Sequence, residues 1–108
     1  MSRAENKTTP KVIGDMLYHD QGGLTVGSAA WFAWLDQDEH SAFYVETSAG
    51  TFTARKEQRR SGRFPRCYWY AYRKQASKLH KMYLGRSEEL TSARLVEVAQ
   101  RLSDQVRP

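Results

Sequence analysis

The chain has 108 residues, 17 Lys and Arg against 12 Asp and Glu, a formal charge of +5 and 40% hydrophobic letters. That size supports one small domain with a core and leaves no room for an enzyme that couples a cofactor domain to a substrate domain. No apolar run approaches the ~20 residues that cross a bilayer, and Met1 to Lys11 is polar, so a soluble, cytoplasmic chain is expected.

Met1 to Lys11 carries Ser, Asn, Thr and Pro10 without apolar periodicity and is expected to be a flexible tail, which leaves 12–106 as a single α+β domain. In Val12 to Gly27 the apolar letters are interrupted by Gly14, Gly22 and Gly23. This stretch is expected to run along the domain without one regular element. Ser28 is an N-cap for a short helix, Ala29 to Leu35, in which Trp31, Trp34 and Leu35 share a face and serve as core anchors. Asp36, Asp38 and Glu39 then form a solvated connection.

Beyond it the period changes from helical to alternating. Ala42 to Thr47 and Thr51 to Lys56, separated by Ser48-Ala49-Gly50, predict a β-hairpin. Arg59 to Arg66, punctuated by Gly62 and Pro65, is expected to be a connection. Cys67 to Arg73 is the strongest strand signal, and Lys78 to Leu84 alternates again before Gly85. The short connections predict an antiparallel sheet of three to four strands. Thr91 caps a final helix whose apolar stripe is Leu95, Val98, Ala99, Leu102 and Val106, with Leu90 and Leu95 placed for a hydrophobic staple. Its outer face mixes charges, so the helix is expected to support one face of the sheet.

Charge is segregated along the chain. From Arg55 to Arg86 there are eleven Lys and Arg against one acid, Glu57, whereas the remainder has six against eleven. A basic middle between mildly acidic flanks is expected where one surface meets a polyanion. Catalysis is not expected: there is no nucleophile elbow, phosphate loop, H-E-x-x-H or pair of carboxylates in an apolar pattern. Cys67, His19, His40 and His80 lack the paired spacings of a zinc site, so no metal or other cofactor is implied.

Alternation places Tyr68, Tyr70 and Tyr72 on one face of their strand and Cys67, Trp69 and Ala71 on the other. If the helix covers the Trp69 face, the tyrosines lie open among cations. Phenol hydroxyls then donate to phosphates, rings stack on sugars or bases, and guanidinium forks grip phosphates or guanine edges. If the helix covers the tyrosines, they are core and the cations merely keep an edge in solution. Alternation does not choose between the two. Other uses of the same face are a protein-interaction module that takes an acidic partner or self-associates, and single-stranded nucleic-acid binding by stacking on Tyr68 to Tyr72.

The segments Gly50-Thr-Phe-Thr-Ala-Arg-Lys-Glu, Tyr68-Trp-Tyr-Ala-Tyr-Arg-Lys and Lys78-Leu-His-Lys-Met-Tyr-Leu-Gly-Arg-Ser-Glu-Glu-Leu-Thr resemble an N-terminal module of large LuxR-type bacterial transcriptional regulators over residues 26 to 103. More loosely, the strand-turn-strand-helix pattern is similar to integrase arm-type DNA-binding domains. That looser resemblance implies a three-stranded sheet backed by a helix, with the open face in the DNA major groove. Carried over by position, it nominates Arg55, Arg59, Tyr70, Tyr72, Arg73, Lys78 and Lys81 as contacts, and Arg60, Arg63 and Lys74 are expected to hold phosphates. The turn Gln75-Ala76-Ser77 departs from the pattern because it lacks a glycine. The resulting expectation is a transcription-regulatory module that binds double-stranded DNA, alone, as a homodimer or within a larger regulator, and does not engage a membrane.

Overall fold

Alternating apolar residues on successive strands can be hidden only if the strands share one covered face, and the chain does this on a larger scale than its connections suggest. The protein is described by a computed structural model covering residues 9–19, 22–37, 40–61, 64–75 and 77–105, without the side chains of residues 59–61 and 64–66. Seven strands form one sheet: β1 (Lys11–Ile13), β2 (Met16–His19), β3 (Gly22–Thr25), β4 (Ala42–Thr47), β5 (Gly50–Ser61), β6 (Phe64–Gln75) and β7 (Lys78–Gly85), in the order β3-β2-β1-β4-β5-β6-β7. Helices α1 (Ala29–Asp36) and α2 (Ser92–Gln105) lie against one side, and a 3-10 turn at Ser87–Glu89 precedes α2.

The α+β class matches expectation, but the sheet is neither small nor wholly antiparallel. β1 pairs with β4 in parallel, with Val12 opposite Val45, and antiparallel with β2, with Val12 opposite Leu17. Val12, Leu17 and Val45 are fully buried, so three short strands that look irregular in sequence are held by the apolar face they share. Lys11, expected in the tail, is the first residue of β1. The expected connection over Arg59 to Arg66 is instead largely strand, because β5 and β6 keep pairing to Ser61 and Phe64. Gly62 and Arg63, at the turn, lie outside the described residues.

The helices begin as their capping residues dictate. Ser28 Oγ accepts the Trp31 amide at 3.2 Å, and Thr91 Oγ1 accepts that of Arg94 at 3.2 Å. Trp31 stands edge-on to Phe43, with ring centres 5.5 Å apart, and its indole N–H donates to the Leu90 carbonyl at 2.8 Å. Leu95, Val98, Ala99 and Leu102 of α2 are buried in the same core as Phe52, Ala54, Trp69 and Ala71. Val106, counted in the predicted stripe, lies outside the described residues.

Gly50 shows how closely α2 is fitted to the sheet. Its φ of +138° belongs to glycine, and a Cβ there would lie 2.3 Å from Arg73 Nη2 and 2.9 Å from Ser103 Oγ. Gly50→Ala is therefore expected to cost about 2 kcal/mol, as backbone strain plus displacement of a bonded guanidinium. Gly14→Ala, also at positive φ but facing open space, should cost about half that. Urea unfolding midpoints of the two variants check the difference.

Candidate nucleic-acid interface

The facing that sequence alternation leaves open is fixed by the two helices. Trp69 and Ala71 are fully buried with the core, whereas Tyr68, Tyr70 and Tyr72 are half-buried on the opposite side. Strand register extends that second face. Tyr70 pairs with Arg55 on β5 and with Tyr83 on β7; Tyr72 pairs with Thr53 and Lys81. Thr53 in turn pairs with Tyr44, Tyr44 with Lys11, and Lys11 with Tyr18. All six tyrosines of the chain thus share the face that no described helix covers. The three tryptophans lie on the other side, in the core. An amphipathic ring with a polar tip suits a half-wet surface, and an indole of greater bulk suits burial.

Tyr68, Tyr70, Tyr72 and Tyr83 form a connected cluster on that face. Tyr83 stands edge-on to Tyr70 with centres 5.5 Å apart and tilts against Tyr68 at 6.1 Å. Lys81 Nζ lies 4.4 Å from the centre of the Tyr70 ring and 5.5 Å from that of Tyr72, and Lys11 Nζ is 5.9 Å from that of Tyr44. Glu57 sits among them. It accepts the Tyr72 hydroxyl, and its other oxygen is 3.3 Å from Lys81 Nζ. Hydrogen bonding to Tyr72, and then to Glu57, holds the Lys81 ammonium above its ordinary pKa. Burial pushes the Tyr83 phenol up, with Glu89 acting in the same direction. Beside this cluster Thr53, Arg55, Tyr72, Lys74 and Leu79 line a shallow groove.

Of the nominated residues, Arg55, Tyr70, Tyr72, Lys74 and Lys81 come together here. Arg73 does not. Its place in the strand is that of Trp69 and Ala71, and its guanidinium faces α2. Nε donates to the Thr51 carbonyl at 2.7 Å, Nη1 to Ser103 Oγ at 3.1 Å and Nη2 to the Ala99 carbonyl at 3.3 Å. Burial lowers its pKa. Arg73 is a structural tie between sheet and helix, and its nomination as a contact is withdrawn. Lys78 pairs with Gln75 at the end of the hairpin, at a register position belonging to the Arg73 side, and is likewise separated from the tyrosines. Arg59 and Arg60 occupy strand positions opposite Arg66 and Pro65, with side chains outside the description, and Arg63 lies outside the described residues altogether.

Sequence reasoning missed Lys11, Tyr18, Tyr44 and Tyr83. Their strands carry the signal only once the order of the sheet is known. Among the described residues no three His, Cys, Asp or Glu side chains are grouped to hold a metal ion, and no helix is long and apolar enough to cross a membrane.

The sheet also revises the docking geometry implied by the integrase resemblance. Seven strands about 4.8 Å apart span roughly 30 Å, while a major groove is about 12 Å wide. The whole face is too broad to enter it. No family model matches the chain, and no curated protein or solved structure matches it either.

Proposed function

We propose that this chain is a double-stranded DNA-binding module whose contact surface is the tyrosine face, with Arg55, Lys74, Lys81 and Lys11 supplying charge to phosphates and the phenols supplying hydrogen bonds and stacking area. The observation that carries the proposal is the gathering of every tyrosine with these cations on the side opposite both helices. Six half-wet rings interleaved with cations match a sugar-phosphate surface, which offers anionic oxygens and sugar faces in alternation. The resemblance of the three quoted segments to LuxR-type regulators supports a use in transcription regulation.

Fluorescence polarisation with a mixed-sequence duplex at low salt tests this reading. The wild-type chain should bind, and Arg55→Gln should bind less tightly. Glu57→Gln should bind several-fold tighter, because it deletes an anion from the contact surface and releases Lys81 for a phosphate. If Glu57→Gln leaves affinity unchanged or weakens it, the tyrosine face is not where the backbone lies.

A second reading, self-association through this face, is favoured by one observation. Leu79 is 64% exposed, Tyr18 50% and Ile13 46%, and all three occupy register positions on that side. Size-exclusion chromatography across concentrations separates the readings: a stable dimer that loses its DNA affinity on assembly supports the second.

A further inference from the structure

One rim of the sheet is its own chemical complement. On the side that no described helix covers, Ile13 of β1, Glu46 of β4, Thr51 of β5, Lys74 of β6 and Leu79 of β7 stand at or next to the ends of their strands, all at the same rim. Ile13 pairs with Glu46, Glu46 with Thr51, and Lys74 with Leu79. Thr51 lies two residues before Thr53 and Lys74 two beyond Tyr72, so both keep the side set by the Thr53–Tyr72 pair. The row reads apolar, acid, threonine, base, apolar. Glu46 and Lys74 are each one strand from β5, and Ile13 and Leu79 are each two, at about 4.8 Å per strand. A half-turn beside Thr51 therefore brings Glu46 of one copy to Lys74 of another and Ile13 to Leu79, twice in each pair. That self-complementarity is what an isologous interface requires.

The side chains are available for it. Ile13, Glu46, Lys74 and Leu79 are all exposed. Ile13 and Glu46 line a groove that turns the corner of the rim, with Asp15 from the β1–β2 turn and Ser92 and Val96 from α2 on its other bank. The groove thus sets two carboxylates beside two exposed apolar side chains, Ile13 and Val96. Asp15, Glu46 and Lys74 form no ion pair with any other described residue. A cation beside an apolar side chain would satisfy the groove, and the cross-strand neighbours Lys74 and Leu79 are such a pair.

We propose that two copies of this chain associate rim to rim about a two-fold axis beside Thr51, with Ile13 and Glu46 of each copy meeting Leu79 and Lys74 of the other. Pressing the two tyrosine faces together by the same half-turn would set Lys11 against Lys81 of the second copy and Arg55 against Arg55, and like charges so juxtaposed are costly. An axis along the sheet normal avoids this. It leaves both tyrosine faces open, side by side and pointing the same way, with Lys74 held by Glu46 of the other copy. The inference uses the same Ile13 and Leu79 that favour self-association, but it does not depend on DNA binding. A patch this small, against the 20–30 residues a side of a standard interface, predicts association on the order of tens of micromolar.

Sedimentation equilibrium of the full chain, without DNA, at about 10 μM to 1 mM tests the proposal. The wild type should pass from monomer to dimer and no further. Glu46→Lys and Lys74→Glu should each weaken self-association about tenfold or more, because both contacts then oppose like charges. An equimolar mixture of the two single variants should recover the wild-type dimer, since one contact is native and the other is reversed in sign. That recovery also shows that neither variant had failed to fold. Leu79→Ser should weaken the dimer without responding to mixing. A wild type that stays monomeric throughout, single variants that dimerise as wild type does, a mixture that stays monomeric, or growth beyond the dimer would each overturn the inference. None of these outcomes bears on whether the tyrosine face binds duplex DNA, which the polarisation measurement decides separately.

Discussion

Trp69→Ala is expected to destabilise the fold by about 3 to 5 kcal/mol, a large share of the roughly 5–15 kcal/mol that a domain has in total. Trp69 is fully buried, lies 5.1 Å from Phe43 between ring centres, and donates its indole N–H to Ser87 Oγ at 3.0 Å. Phe43 in turn meets Trp31 and Trp34 of α1. Truncation opens a cavity where α1, the sheet and the turn before α2 converge, and it leaves the Ser87 hydroxyl, only 9% exposed, without its donor. Trp69→Phe keeps most of the apolar volume and loses the hydrogen bond, so about 1–2 kcal/mol is expected. Urea denaturation of the two variants reads the ordering. Equal losses would mean that ring bulk is not what holds β6 in place. Because Tyr68, Tyr70 and Tyr72 share that strand, a partly unfolded Trp69→Ala chain should lose the proposed DNA binding even though residue 69 lies on the covered side of the sheet.

The second large effect is ionic. With about five phosphates neutralised, affinity for duplex DNA should fall with a log-log slope near −4.5. Raising monovalent salt from about 50 to 200 mM then weakens binding roughly 500-fold. Arg55→Gln should make the slope shallower by about one. If Arg55 also reads a base, Arg55→Gln should in addition relax sequence preference, which a selection from random duplexes would reveal. A fall of less than about tenfold over that salt range would contradict a contact surface built on phosphate neutralisation.

The parts of this fold legible in the sequence are those decided by local patterning. Ser28 and the Trp31, Trp34, Leu35 spacing mark α1, Thr91 and the Leu95 stripe mark α2, and alternation marks β4 and the centre of β6. β1 to β3 were hidden because Gly14, Gly22 and Gly23 break any local period. What holds those strands is a parallel pairing of Val12 with Val45, residues far apart in the chain. The outer half of the β5–β6 hairpin was hidden for a related reason. Gly62 and Pro65 normally punctuate connections, yet Pro65 pairs with Arg60 beyond Trp69, where β6 has no second strand partner among the described residues, and there proline is tolerated.

For the site, the tyrosine side of β6 was legible as a face but not as an exposed one. Arg73 could have been placed correctly from sequence, since position 73 continues the alternation of Trp69 and Ala71. A basic residue at an apolar position invited reading it as a contact, when its actual role is to bond the Thr51 and Ala99 carbonyls at the margin of the core. Glu57, the one acid of the basic segment, counted in sequence as an exception. In the fold it stands between Tyr72 and Lys81, where it sets how much positive charge the surface presents.

The most direct measurement of where a duplex sits is a titration of isotope-labelled protein with a mixed-sequence 20-bp duplex, followed through backbone amide NMR shifts. Progressive changes at Lys11, Tyr44, Arg55, Tyr70, Tyr72 and Lys81, with α1 and α2 unmoved, are the expected result. Shifts centred on the outer face of α2, around Arg94, Glu97 and Arg101, with the tyrosine strands silent, would place the ligand on the opposite side of the molecule and contradict it.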